Sequence, residues 1–449
     1  MMSHNEQYIR SRVHLRADSL IGLLRERFDL IVDKRRSAST LFSLTDCLMS
    51  AFAMFSIKED SLLAFDGRRN EPNLKSLFQI QNIPSDTQMR EVLDPVEVDH
   101  LNEGFADIFA ELQRAGVLED YVFHDGSYLI AIDGTGYYCS NNIHCPHCLK
   151  HVNKADKTQY AHQAVAAVMV HPKRKEVIAM AVEPIIQQDG ATKNDCERNA
   201  TRRLLKRFRK QHPKLKSIIV EDALASNGPH IRDLIEMKFD FLLGVKPGDH
   251  KVLFDEFIAA MDGKRPEGSE LQSVSVATAE SKNTQVLQWM SNATLNASHP
   301  DLLVTFLQQM ELNKNDEPIR RFSWVSSLSV TQENVTKLAS GGRSRWKIEN
   351  ETFNTLKNQG YNLEHSYGHG QQNLSTVFLL LMFLAFLVDQ VQQATCPLFQ
   401  AAIGKFRTHK AYWKHLWACY TLLALRSWEE LYRMIASGRT DGRIQLDTG

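Results

Sequence analysis

The most constraining feature of this 449-residue chain is the order of its apolar runs between residues 128 and 245. Short runs of the kind that form strands alternate there with longer stretches whose apolar residues recur at helical spacing. The predicted strands are 128–132, 163–170, 175–182, 217–220 and 239–245, and the predicted helices are 195–211 and 228–237. Three strands, a helix, a strand, a helix and a strand predict a mixed α/β fold for this part of the chain.

Acidic residues directly follow two of these predicted strands. Asp133 comes after the first strand, and Asp222 comes after the fourth, with Glu221 immediately before it. In one interpretation these residues open a turn or cap a helix, which are common roles for aspartate. In the other, their carboxylates contribute to one site at neighbouring strand ends.

A third acidic residue lies in a predicted helix over residues 342–357. At helical spacing Arg345, Glu349 and Lys357 recur at i, i+4 and i+12, so that one carboxylate is held between two cations. Apolar side chains of the same stretch are predicted to face a core, namely Trp346, Ile348, Phe353, Leu356 and the nearby Leu363. The simpler alternative is a surface helix whose Arg–Glu pair contributes only tenths of a kcal/mol.

The stretch resembles the signature of bacterial insertion-sequence transposases of the DDE type, in the branch with Tyr-x2-Arg-x3-Glu-x6-Lys. Arg345 and Glu349 fit that spacing, with Trp346 and Ile348 between them. Gly342 occupies the tyrosine position, and the lysine falls at 357, one residue late.

This resemblance implies a ribonuclease-H-like catalytic core in which the first and fourth strands lie side by side. Asp133 and Asp222 would then meet, and Glu349 would complete a cluster of three carboxylates. Converging carboxylates repel one another unless cations neutralise them, and hard oxygen ligands favour Mg²⁺ or Mn²⁺. The resemblance implies two such ions, with Asp133 bridging them, Asp222 on one and Glu349 on the other, as in two-metal phosphoryl transfer.

The resemblance also implies residues that contact DNA. Arg345, Lys347 and Lys357 are expected to hold phosphates. Trp324 and Trp289 are candidates for stacking an extruded base, because aromatic stacking offsets the loss of base stacking. Ordinary core packing is the alternative for both tryptophans.

A basic run adds a further candidate DNA surface. Residues 193–216 contain ten Lys and Arg against Asp195 and Glu197. We expect Arg202, Arg203 and Lys206 to face away from the apolar stripe of the predicted helix and to contact phosphates. A solvated helix face is the usual interpretation of such a run.

Cysteine and histidine residues are concentrated between 139 and 151. Cys139, Cys145, Cys148 and His151 offer four ligands for a tetrahedral structural zinc, with His144 and His147 as spares. Unliganded cysteines in a polar loop are the alternative. Seven cysteines with this spacing do not suggest a disulfide framework and favour a reducing cytoplasm.

The predicted organisation has five parts. These are a helical DNA-binding region (1–118), the first part of the core (119–250), a β-rich insertion (251–335), the second part of the core with the glutamate helix (336–395) and a helical C-terminal region (396–449). The insertion is assigned strands at 273–278, 285–290, 302–312 and 321–328. The longest apolar run, 377–388, is too short to span a bilayer and predicts a buried helix.

The resulting hypothesis is a cut-and-paste transposase that cleaves DNA at terminal inverted repeats and joins the ends to target DNA, acting as a homodimer on double-stranded DNA. The formal net charge of zero gives no support to nucleic-acid binding, so the hypothesis depends on local charge. Two rivals are a metal-dependent nuclease on the same fold and a domesticated DNA-binding protein without catalysis.

Overall fold

The computed structural model describes residues 12–35, 40–152, 156–186, 196–264, 267–277 and 284–438. The chain has a mixed α/β fold, as the order of apolar runs predicted. Its α-helices in these ranges are α1 (Ala17–Asp29), α2 (Leu44–Ser56), α3 (Leu62–Asp66), α4 (Pro72–Phe78), α5 (Asp86–Leu93), α6 (Asp99–Arg114), α7 (Glu197–Gln211), α8 (Gly228–Glu236), α9 (Lys251–Met261), α10 (Val335–Arg343), α11 (Asn354–Asn358), α12 (Leu374–Thr395), α13 (Pro397–Ile403), α14 (His409–Leu422) and α15 (Trp428–Ser437). Short 3₁₀ segments occur at Val13–Leu15 and Val117–Tyr121, and a π-helix spans Ile348–Phe353.

The strands of the described residues form one eleven-stranded sheet. They are β1 (Val122–His124), β2 (Ser127–Ser140), β3 (Leu149–Val152), β4 (Thr158–Val170), β5 (Ile178–Ile185), β6 (Ser217–Glu221), β7 (Asp240–Gly244), β8 (Leu271–Ala277), β9 (Thr284–Asn296), β10 (His299–Leu312) and β11 (Pro318–Ser326).

The spatial order is β3-β4-β2-β6-β7-β11-β10-β9-β8, with β1 paired to β2 and β5 paired to β4. Strands β2, β6 and β7 run parallel to one another, and the other pairs are antiparallel. The antiparallel pair of β11 and β7 joins the strands of the predicted insertion to the rest of the sheet.

A single hydrophobic core connects the sheet to the helices that surround it. Every residue of β5 is buried, because helices α6, α7 and α12 all pack against this strand. Helix α12 also packs against α2, which ties the described N-terminal helices to the centre of the protein. By length and composition α12 could cross a membrane, but 89% of its most apolar window is buried inside the protein.

Several predicted boundaries were wrong. Strand β2 continues through Asp133 to Ser140 instead of ending at residue 132, because β4 pairs with it along this whole length. The third strand lies at 178–185, three residues later than predicted, and the insertion contains the unpredicted helix α9. Asp195 and Thr278, which belonged to predicted elements, and residues 193–194 of the basic run lie outside the described residues.

The predicted continuous helix over 342–357 is also wrong. Helix α10 ends at Arg343, and the chain resumes as a π-helix followed by α11. This break changes which side chains face inward. Ile348, Phe353 and Leu356 are buried as expected, whereas Trp346 is 48% exposed.

Candidate active site and metal centre

The parallel pair of strands β2 and β6 brings the two aspartates to the same level of the sheet. The last registered pair joins Ala131 to Val220, and each aspartate lies two residues further along its own chain. Asp133 and Asp222 therefore come from the same end of two adjacent strands, which are about 5 Å apart. Both line a cavity of about 370 Å³.

Arg345 connects the third acidic residue to this edge of the sheet. Its Nη1 donates a hydrogen bond to Asp133 Oδ2 at 2.9 Å, and its Nη2 lies 2.7 Å from Glu349 Oε1. Asp222 adds to the negative field at the same guanidinium. Two carboxylates far apart in the sequence therefore contact one cation, and the charge of a third acts on it.

The acidic side chains do not form a compact set of metal ligands in this structure. Among the described residues, only a Cys/His group has three or more potential ligand atoms that all lie within 4.8 Å of one another. The acidic groups do offer the hard oxygen donors that Mg²⁺ and Mn²⁺ prefer. Glu349 is half exposed, with 51% of its side chain accessible.

Burial makes Asp133 an unusually weak acid in this setting. Desolvation raises its pKa from 3.8 to about 7, against the opposing charge of Arg345. The carboxylates of Glu349 and Glu197 make smaller contributions to this rise. A second cation near this carboxylate would favour its ionised form.

Glu197 is a member of this acidic group that the sequence patterns did not reveal. It lies in the first turn of α7, and a Cβ on Gly134 would come within 2.7 Å of its Oε2. Desolvation and then the charges of Asp222 and Glu221 raise its pKa. In the sequence, Glu197 stands out only as an acidic residue within a basic run, and no local pattern indicates that its side chain lies against Gly134.

Glu221 and Asp222 have different partners. His230 Nε2 lies 2.6 Å from Glu221 Oε2, and both side chains are buried. Asp222 instead accepts a hydrogen bond from the backbone N–H of Leu224 at 2.9 Å. Glu221 is therefore held by a histidine, which leaves Asp222 as the carboxylate beside Asp133.

Two of the lysines predicted to bind phosphate are engaged within the protein. Lys347 Nζ donates to the carbonyl of Arg174 at 2.6 Å, and Lys357 pairs with Glu364 at 2.9 Å.

The two tryptophans proposed to stack on a base are buried. Trp289 is 3% exposed and Trp324 is 5% exposed. They lie on β9 and β11 on either side of Leu307, to which both are registered across β10. Both rings are packed inside the protein, which favours the alternative of ordinary core packing.

The basic helix α7 uses several of its arginines to hold the fold. Arg203 pairs with Glu183 at 2.6 Å, Arg207 pairs with Asp99 at 3.0 Å, and Arg209 donates to backbone carbonyls. Arg202 pairs with Asp233 at 3.0 Å but keeps 53% of its side chain accessible, and Lys206 is exposed. Three arginines of the run are thus structural, whereas Arg198, Arg202, Lys206, Lys210, Lys214 and Lys216 remain exposed.

A cluster of two cysteines and two histidines lies apart from the acidic cavity. Cys145, Cys148, His162 and His369 place their ligand atoms within 4.8 Å of one another, and the first three are buried. The Cys145 and Cys148 sulfurs are 3.7 Å apart, and each lies 3.3 Å from His162 Nε2. Hydrogen bonding from Cys148, and after it from His162 and His369, lowers the pKa of Cys145. The cluster could hold a metal ion such as zinc.

Half of the predicted zinc ligands were wrong. Cys139, on β2, and His151, on β3, are exposed and do not belong to the cluster. His162 and His369 take their places. His162 is only fourteen residues from Cys148, but His369 is 221 residues away, and no local spacing could have identified it.

Comparison of the sequence with protein-family models and with curated proteins finds no match. The case for any function therefore rests on the side chains described above.

Proposed function

We propose that this chain is a DDE transposase that cleaves and joins DNA with the help of divalent metal ions. The observation that carries the proposal is Arg345, which contacts both Asp133 and Glu349 beside Asp222. A surface helix with an incidental Arg–Glu pair would have no reason to meet a partly buried aspartate 212 residues earlier in the chain.

The strand order supports the proposal. Strands β5, β4, β2, β6 and β7 are consecutive in space, with the first long strand of the core next to the fourth. That arrangement is the one expected of a ribonuclease-H-like core, and it puts the two aspartates on adjacent strands. Strands β8 to β11 lie between the second aspartate and the glutamate, where related transposases carry a β-rich insertion.

The π-helix at Ile348–Phe353 affects the position of Lys357, the lysine that falls one residue late in the family pattern. A π-turn accommodates one more residue than an α-turn, and such turns are frequent at functional sites. Lys357 follows Glu349 by eight residues instead of the seven of the family pattern. Because of this wider turn, Lys357 lies nearer to the helix face that a lysine seven residues after Glu349 would occupy in a regular α-helix.

In the proposed reaction Asp133, Asp222 and Glu349 would hold two Mg²⁺ or Mn²⁺ ions, which supply activation of the attacking hydroxyl and stabilisation of the leaving oxygen. Asp133 must lose its proton to act as a ligand, and its raised pKa puts that loss near neutral pH. In the absence of metal ions and DNA, Arg345 neutralises Asp133 and Glu349. We propose that the Arg345 side chain contacts a DNA phosphate instead when metal ions neutralise the carboxylates.

The test uses purified full-length protein, Mg²⁺ or Mn²⁺, and linear DNA carrying the sequences that flank the reading frame on both sides. We expect cleavage near the ends of the element by the wild type, and joining of pre-cleaved ends to a plasmid. Asp133→Asn, Asp222→Asn and Glu349→Gln should each reduce cleavage at least 100-fold while keeping DNA binding. Asp255→Asn, an exposed aspartate on α9, is the matched control and should cleave normally.

The outcomes separate the rivals. Cleavage without joining would identify a metal-dependent nuclease on the same fold. Binding without cleavage by the wild type would identify a DNA-binding protein that lacks catalysis. Normal cleavage by Glu349→Gln would refute the proposed site.

A further inference from the structure

We infer that one zinc ion is bound in a closed tetrahedral site by Cys145, Cys148, His162 and His369. The ion would link the 362–373 loop to the antiparallel strands β2, β3 and β4. This inference is independent of the proposed catalysis. It assigns a structural role to four residues that lie outside the acidic cavity.

The separations of the donor atoms match those of a zinc tetrahedron. Zn–S bonds of 2.3 Å and Zn–N bonds of 2.0–2.1 Å place two sulfurs about 3.8 Å apart, a sulfur and a nitrogen about 3.6 Å apart and two nitrogens about 3.3 Å apart. The observed values are 3.7 Å between the sulfurs, 3.3, 3.3 and 3.9 Å from sulfur to nitrogen, and 3.2 Å between His162 Nε2 and His369 Nδ1.

A disulfide and a set of ordinary hydrogen bonds both fit these contacts less well than a metal ion. Both cysteines are unpaired, and sulfurs 3.7 Å apart are too far for a disulfide, whose S–S bond is about 2.05 Å. Hydrogen bonds would join these atoms in pairs, whereas here all four approach a common centre. Two thiolates and two imidazoles at the corners of a tetrahedron are the ligands that structural zinc prefers.

The surrounding residues hold the ligands in place and close the site. Cys148 is fully buried, with Cys145 at 4% and His162 at 3% exposure. The Tyr137 ring stacks on His162, and the edge of Tyr138 meets His369 with ring centroids 4.0 Å apart. With four protein ligands and little solvent access, the ion has no open position for a substrate, so its role is structural.

Two glycines and Asp94 determine the conformation of the loop that supplies His369. Gly368 and Gly370 flank the histidine with φ of +147° and +63°, values that other residues rarely adopt. A Cβ on Gly370 would lie 2.1 Å from Asp94 Oδ1, so only glycine fits there. The Asp94 carboxylate accepts hydrogen bonds from the backbone N–H groups of Gln371 and Gln372. The chain is thereby folded around Asp94 and presents His369 to the two cysteines.

The consequence is a cross-link between segments 221 residues apart. Zinc would join the 145–148 turn to the loop that leads from α11 into the central helix α12. Because metal-binding free energy adds to the folding free energy of the residues it ties together, we expect the 362–373 loop to lose order when zinc is removed.

Zinc content of the purified full-length protein is the first test. After dialysis against metal-free buffer, we expect one zinc per chain by mass spectrometry of the metal. His369→Ala and Cys145→Ser should lose most of it. Cys139→Ser and His151→Ala are matched controls from the same hairpin and should retain it. The absence of zinc in the wild type, with no uptake from equimolar Zn²⁺, would overturn the inference.

Cobalt substitution guards against variants that fail to fold. Co²⁺ in the wild type should show the visible absorption of a tetrahedral site and the charge transfer of two thiolates. His369→Cys should keep the metal and gain charge-transfer intensity from a third thiolate. An unchanged spectrum for His369→Cys would exclude residue 369 as a ligand.

Hydrogen exchange tests the role of the ion. A chelator should increase amide exchange of residues 362–373 by at least tenfold, and Zn²⁺ should restore protection where Mg²⁺ does not. Unchanged exchange in a protein that has lost its zinc would refute the cross-link.

Discussion

Replacing Asp133 by asparagine should stabilise the metal-free protein, by an amount that grows with pH. The Asp133 side chain is 19% exposed, and desolvation is the main reason that its pKa rises from 3.8 to about 7. The unfolded chain ionises this residue near its ordinary value. Ionised Asp133 is therefore less favourable in the folded protein than in the unfolded chain.

The size of the effect follows from these two pKa values. Because the folded-state pKa is the higher one, stability is lost as the pH rises past 3.8, and the loss is complete above about 7. At about 1.4 kcal/mol per pKa unit, the penalty is about 1–2 kcal/mol at pH 5 and reaches a ceiling of about 4 kcal/mol at pH 8. Asparagine removes this penalty, and Arg345 keeps Glu349 as its partner.

Urea unfolding from pH 5 to pH 8, in buffer without Mg²⁺ and without a chelator, measures the prediction. We expect the free energy of unfolding of Asp133→Asn to exceed that of the wild type by a margin that widens with pH. Asp255→Asn makes the same charge change on an exposed helix face and should show no such trend. A margin that is equal at pH 5 and pH 8, or a destabilised variant, would refute the desolvation argument.

Two further predictions concern packing and a buried charge. Gly342→Ala should destabilise the protein by about 1–3 kcal/mol in urea unfolding, because the added Cβ would lie 2.5 Å from the Trp324 ring. Gly248→Ala is the control and should leave the stability unchanged, because a Cβ at that position meets no other atom within 4 Å. Lys58→Met should cost about 3–5 kcal/mol, because it leaves the largely buried carboxylate of Asp389, now 2.6 Å from Lys58 Nζ, without its cation. Lys58→Met combined with Asp389→Leu should recover most of that loss, and no recovery would contradict the role assigned to the unpaired charge.

Local patterns in the sequence were sufficient for some of the site. The alternation of short apolar runs with helical stretches predicted the elements from β2 to β7 except β3, which lies in a stretch interpreted as a polar loop. The family resemblance implied that β2 and β6 would be neighbours, and they are. The i, i+4 spacing of Arg345 and Glu349 predicted their ion pair correctly. The Cys145-x2-Cys148 pair, predicted to bind zinc, likewise belongs to the Cys/His cluster that could hold a metal ion.

The remaining features depend on contacts that no local pattern records. His369 reaches the cluster only because the chain turns around Asp94, and Glu197 reaches Asp133 only because Gly134 leaves room for it. Trp346 was assigned to the core because a regular helix was assumed, but the break after Arg343 turns it outward.

The hydrogen-bonded link between β7 and β11 has a mechanical consequence. Since a continuous sheet can twist but does not fold at a hinge, force applied to the outer strands β8 to β10 would pass through β11 and β7 to β6, next to Asp222. Cutting out the outer strands would also leave β7, with its buried Phe241, Leu242 and Leu243, as an open edge ready to pair with another molecule. The outer strands thus cover the edge of the sheet at β7 as well as extending it.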